Sequence, residues 1–166
     1  MKAHRLATFA LALTATTALP AQTIDFLTSN GGFTAQSLIG SNAWSWAAGT
    51  GWAVNSRSQI AHQRLLSPVL TALGGTYSIS ATHRYNFEGS MNTTTCWDGG
   101  VVLASINGGA FAALMPSSGK GYDGVISSST NLGNPLGGSQ AFCRAQTSNV
   151  ISTWTGTLAA GTTIQS

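Results

Sequence analysis

The sequence predicts an all-β chain folded as a two-layer antiparallel sandwich, and three observations carry that expectation. From Tyr77 to Phe87 the odd positions read Tyr, Ile, Ala, His, Tyr, Phe, while the even positions read Ser, Ser, Thr, Arg, Asn. Period-two alternation over this length fits a strand that covers a core on one face, and a helix does not produce it. Glycine and serine punctuate the rest of the chain at short intervals, with little helical periodicity. Asn107-Gly108-Gly109 separates two short apolar runs, a hairpin signal because left-handed backbone conformations cost Asn and Gly little. Many short strands without alternating helices argue against a parallel α/β fold. A single sheet would leave its apolar face wet, so two layers are expected.

The amino terminus is read separately. Lys2, His4 and Arg5 give a positive start, Leu6 to Ala18 form an Ala/Leu/Thr stretch, and Leu19-Pro20-Ala21 ends it on a small residue before Gln22. That is the three-part organisation of a secretory signal peptide, with cleavage after Ala21. The run is too short and too rich in threonine to span about 30 Å of hydrocarbon, and no second hydrophobic span follows. The expectation is a signal over 1–21 and one β-sandwich domain over 22–166, in a protein that is secreted, periplasmic or on a bacterial cell surface.

Within 22–166 the elements follow in order. Asn30-Gly31-Gly32 is a turn. Ala43 to Val54 carries Trp44 and Trp46 on one face of an extended segment, with Gly49-Thr50-Gly51 as a bend before Trp52. Gln59 to Leu73 is interrupted by Pro68 and reads as a loop with an apolar plug. Tyr77 to Phe87 is the clearest strand, with His83 on its apolar face as a satisfied core-edge histidine rather than a ligand or base. Val101 to Ile106 and Ala110 to Met115 flank the Asn-Gly-Gly hairpin. Pro116 to Ser139 is a long loop with a short strand near Tyr122 to Ile126, and Asn149 to Leu158 is the last clear strand.

Charge is sparse. Without Lys2 and Arg5, five basic residues (Arg57, Arg64, Arg84, Lys120, Arg144) face Asp25, Glu88, Asp98 and Asp123, a net of +1. Globular domains usually carry roughly a quarter charged residues, so the polar surface here comes from Ser, Thr, Asn, Gln and Gly. A nucleic-acid partner is not indicated. Two cysteines, Cys96 and Cys143, favour one disulfide in an oxidising compartment over two buried thiols or an interchain pair. Without suitably spaced histidines they are a poor zinc site.

Several ordered motifs resemble a known type. They are His83-Arg84-Tyr85-Asn86-Phe87-Glu88, Trp97-Asp98-Gly99-Gly100 with Val101-Val102-Leu103, and Ser105-Ile106-Asn107-Gly108-Gly109-Ala110-Phe111. Gly121-Tyr122-Asp123-Gly124 and Asn134-Pro135-Leu136-Gly137-Gly138 with Ala141-Phe142 add to them. Over roughly 24–158 the chain resembles the jelly-roll, MAM-like accessory domains of secreted bacterial proteins, as found beside secreted metallopeptidases. The resemblance implies a jelly-roll sandwich that lacks its usual closing strands after Leu158, so the domain is expected to be truncated at its carboxyl end. It also implies that the segments holding Cys96 and Cys143 lie close together.

For chemistry, calcium is the one specific cofactor to consider. Glu88 and Asp98 flank a nine-residue loop, and the resemblance implies that these and Asp25 could hold a structural ion through their oxygens. The competing reading has Glu88 capping backbone amides and Asp98 setting the Asp-Gly-Gly turn. No His-Glu-x-x-His, Gly-x-Ser-x-Gly or complete phosphate-loop motif is present, and no catalytic residues are assigned. Trp44, Trp52 and Trp154 read as core fillers before they read as sugar platforms. Asn92-Thr93-Thr94 has the form of a glycosylation acceptor, for which no glycan is expected. The reading that results is a non-catalytic exported domain for protein or cell-surface glycan binding, adhesion or structural support. The alternatives are an accessory fragment of a larger secreted hydrolase or peptidase, and a carbohydrate-binding module.

Overall fold

The computed structural model describes residues 10–15, 22–41, 44–55, 59–89, 94–129 and 133–166. Lys2, His4, Arg5, the Leu19-Pro20-Ala21 end of the expected signal, Arg57, and Asn92 and Thr93 of the acceptor-like motif lie outside the described residues. The chain is all-β, built from several largely antiparallel sheets.

The organising element is β8 (Gly75–Asn86), which contains the alternating segment. Ile79, Ala81, His83 and Tyr85 are buried, while Arg84 between them is exposed. β8 pairs along its length with β15 (Ala145–Leu158), which runs antiparallel to it with an irregularity between Gln146 and Val150. β12 (Ser118–Gly119) lies on the far edge of β15. On the other side of β8 come β1 (Ala10–Ala15) and then β2 (Gln22–Ile24), giving a five-stranded sheet. β1 therefore falls inside the segment expected to be a signal peptide.

A second sheet runs in the order β11 (Ala112–Ala113), β10 (Leu103–Ile106), β16 (Thr163–Gln165), β7 (Leu70–Thr71). The two layers share one core. Ile79, Ala81, Tyr85 and Trp154 from the first sheet pack in one cluster with Ala104 and Ile164 from the second, with Phe142 between them. Burying a large side chain of this kind is worth roughly 1.5–3 kcal/mol, which is why apolar alternation decides the face each strand presents.

A smaller sheet, β14 (Gln140–Ala141), β13 (Gly124–Ile126) and β9 (Thr95–Cys96), carries the only parallel pairing among the described strands, β13 with β9. The hairpin β4 (Trp44–Ala47) to β5 (Gly51–Val54) places Trp46 directly opposite Trp52. Trp52 is buried against Phe26 and Phe33.

Three expectations are corrected. The segment 59–73 is not a loop with a plug: His62–Leu66 forms β6, antiparallel to β3 (Thr34–Ile39). Neither strand alternates cleanly between apolar and polar residues, because both are largely half-buried or exposed; they are held by their mutual pairing and by Ala35, Leu65 and Leu66, which pack inward. The strands of the Asn107-Gly108 hairpin are shorter than expected, because ladder pairing is confined to Leu103 with Ala113 and Ala104 with Ala112. Leu158 is not the end of the strand pattern. Thr163–Gln165 returns as β16 between β10 and β7, where Thr163 is anchored by its amide donating to Asn107 Oδ1 at 2.9 Å.

Candidate functional site

A cleft of about 590 Å³ opens along the sandwich, floored by core residues such as Ile79, Ala81 and Phe142. Its rim comes from four places. β6 contributes His62 and Arg64, two residues apart and so on one face of the strand. The end of β8 and its following turn contribute Asn86 and Glu88. The loop after β9 contributes Trp97 and Asp98, and the segment before β11 contributes Phe111.

Two aromatic rings stand at this rim for different reasons. Trp97 is 43% exposed, yet its backbone is pinned. Its amide donates to the Glu88 carbonyl at 3.2 Å, and its own carbonyl accepts from Asn134 Nδ2 at 3.2 Å. The main chain that carries this exposed ring is thus fixed, which lowers the entropy cost of a contact there. Phe111 lies under Arg64, whose guanidinium carbon is 4.6 Å from the ring centroid, a cation–π distance. The Arg64 Nε is buried and makes no hydrogen bond. Burial and the neighbouring Arg64 both push the His62 pKa down.

The residues considered for calcium divide between two places. Glu88 and Asp98 meet at the rim, where the amides of Trp97 and Asp98 both donate to the Glu88 main-chain carbonyl, at 3.2 and 3.3 Å. The turn is thus closed by backbone, and both side chains are exposed. Asp25 sits in the turn after β2, where its Oδ1 accepts from the Leu27 amide at 2.9 Å. Among the described residues no group of three His, Cys, Asp or Glu side chains is placed to hold a metal ion.

Beneath the cleft lies a polar network that sequence reasoning left unassembled. Ser152 Oγ donates to the Lys120 carbonyl, which uses its one proton. His83 Nε2, 2.8 Å away, must therefore donate to Ser152. Asp123 is the second centre. It accepts from Tyr85 Oη at 3.0 Å and from the Cys143 amide at 2.7 Å, and it pairs with Lys120 Nζ at 2.8 Å. Ser152 next to His83 has the spacing of a nucleophile and its base, but both are essentially fully buried, so this pair braces β8 against β15. Desolvation, reinforced by Lys120 and opposed by Asp123, lowers the His83 pKa to about 4. The expected core-edge histidine is a fully buried one. Tyr122 acts similarly: its hydroxyl donates to the Leu114 carbonyl at 2.8 Å and accepts from the Val102 amide at 3.0 Å. The Gly121-Tyr122-Asp123-Gly124 motif was the signal available for both residues.

Cys96 and Cys143 form a disulfide, with Cα atoms 6.0 Å apart and both side chains fully buried. Trp154 and Trp52 are core fillers, as expected, and Trp44 packs partly buried against the same clusters. The exposed Trp97 was not singled out from sequence, since nothing local distinguishes a ring that points outward.

Comparison with protein-family models, with curated proteins and with solved structures finds no match. Fold and site together define the class: an all-β, disulfide-bonded, sandwich-like domain with an open cleft rimmed by aromatic side chains. No helix among the described residues is long and apolar enough to cross a membrane.

Proposed function

We propose that this chain is an exported, non-catalytic domain of the MAM-like jelly-roll type that binds cell-surface glycan in its cleft. The observation that carries the reading is Trp97, a backbone-pinned and exposed ring at the mouth of a roughly 590 Å³ cleft that also holds Phe111 and the amide of Asn86. Aromatic faces stack on the C–H faces of sugar rings, and neutral amides suit their hydroxyls. The buried disulfide supports export, because such bonds persist in oxidising compartments. The signal-like start of the chain supports it as well.

The test is titration of the exported protein with a panel of polysaccharides and oligosaccharides, followed by Trp97→Ala and Phe111→Ala. Binding that each substitution weakens about tenfold or more, with unchanged thermal unfolding, supports the cleft as the site. Failure of every glycan, or binding indifferent to both substitutions, removes the reading.

A further inference from the structure

β1 is an interior strand of its sheet. It pairs with β8 along six residues, from Ala10 with Thr82 to Ala15 with Tyr77, and with β2 along three, from Leu11 with Ile24 to Leu13 with Gln22. Cleavage after Ala21 takes β1 away and leaves β2, which begins at Gln22. β2 does not depend on β1 alone for its position. Ile24 packs on the Phe26, Phe33 and Trp52 cluster, and the Phe26 carbonyl accepts from Trp46 Nε1 at 2.7 Å. Removing β1 thus leaves β8 and β2 about two strand spacings apart, roughly 9–10 Å, each with a row of unpaired backbone groups facing the other.

We propose that the exported form carries an open slot, one strand wide, between β8 and β2, and that this slot takes an extended segment of a protein partner antiparallel to β8. The proposal rests on the export reading given above. Unpaired strand edges are templates for strand addition, and a strand inserted here gains hydrogen bonds on both sides. The slot also states the chemistry of its occupant. Between Tyr77 and Thr82, β8 offers Tyr, Ile and Ala at alternate positions, Ser, Ser and Thr at the others, and no charge. The segment seated there, Ala10 to Ala15, is Ala-Leu-Ala-Leu-Thr-Ala, with Leu11 and Leu13 in register with Ala81 and Ile79. An uncharged partner segment with aliphatic residues at every second position and small residues between them fits that register. A second folded copy would bring its own sheet behind its edge strand, and a gap bounded by β2 admits one strand only.

The full chain is expressed with export, and the intact mass of the exported product is measured. Absence of the chain from the exported fraction overturns the export reading, whereas an exported chain that retains residues 1–21 overturns the cleavage and with it the slot, which β1 then fills. In the processed product, a synthetic peptide of residues 8–17 flanked by lysines is expected to raise the unfolding midpoint by about 5 °C at a hundredfold excess over Kd. The same peptide carrying Leu13→Pro is expected to leave it unchanged, because proline removes a ladder donor. No shift from either peptide in the processed protein overturns the slot while the export reading stands. Equal shifts from both mark nonspecific apolar binding and overturn it too. A stable dimer in sedimentation that the peptide does not dissociate assigns the edge to a second copy instead.

Discussion

Tyr77 lays its ring across Gly156, the residue directly opposite it on the neighbouring strand. The two are register partners on β8 and β15, and a Cβ at Gly156 would stand 2.6 Å from Tyr77 Cε1 and 2.7 Å from its Oη. A glycine inside a strand normally weakens it, and an aromatic ring from the cross-strand partner is a known way to cover the exposed backbone. Gly156→Ala, which would ordinarily favour a strand, is therefore expected to destabilise by about 1–3 kcal/mol through overpacking. Urea unfolding of Gly156→Ala alone and combined with Tyr77→Ala checks this. Relief of the Gly156→Ala cost in the double variant is the expected outcome, and additive losses would show that the ring is not the obstacle.

The buried His83 makes stability depend on pH in a defined window. Its pKa falls from 6.5 to about 4 on folding, first through desolvation and then through Lys120. Between those values the unfolded chain binds a proton that the folded chain does not, so stability rises with pH across the window. The contribution is fully present above pH 6.5 and lost as pH falls to about 4, and it amounts to about 3 kcal/mol. Urea midpoints of the parent and His83→Gln, measured at several pH values from 7.5 to 4, should converge toward the acid end. Parallel curves would mean that His83 does not titrate differently in the two states.

Gly124 is positioned by the disulfide. A Cβ there would meet Cys96 Sγ at 2.5 Å, the Thr94 carbonyl oxygen at 2.7 Å and Cys143 Sγ at 2.8 Å. Gly124→Ala is expected to lose about 1–3 kcal/mol, because backbone and a cross-link cannot move aside as a flexible side chain can. Cys96→Ser with Cys143→Ser is expected to cost about 2–5 kcal/mol. Chemical denaturation of each, with thiol titration of Gly124→Ala, separates a strained but intact bridge from one that fails to form.

Asn107 performs two tasks that different substitutions separate. Its backbone is left-handed, at φ 51°, followed by Gly108 at 70°, and its Oδ1 accepts from the Thr163 amide. Asn107→Gly keeps the turn and loses the acceptor, so it should cost about 1 kcal/mol through the unpaired Thr163 amide. Asn107→Val loses the acceptor and adds the left-handed penalty of about 1–2 kcal/mol. Midpoints of thermal unfolding should therefore fall in the order parent, glycine, valine. Equal midpoints for the two variants would remove the turn strain from the account.

What was legible in the sequence was whatever local periodicity and turn chemistry control. The alternating residues 77–87 specify β8 and its buried face, because a period of two puts Ile79, Ala81, His83 and Tyr85 on one side of any strand they form. Asn107-Gly108 determines a hairpin, because few other residue pairs accept two left-handed conformations in succession. The cysteine count pointed to a disulfide, although only the fold brings positions 47 residues apart to bonding distance. The tertiary structure alone decided the rest. β6 exists because β3 supplies its hydrogen bonds, a long-range pairing that half-buried residues do not announce. Asp123 became a hub because Tyr85, Lys120 and Cys143 converge on it from separate strands and loops. Trp97 became the exposed ring at the cleft, and Trp52 and Trp154 the buried ones, for the same reason. A side chain's intrinsic chemistry is identical in all three, and only the surrounding layers determine whether the ring meets water or another ring.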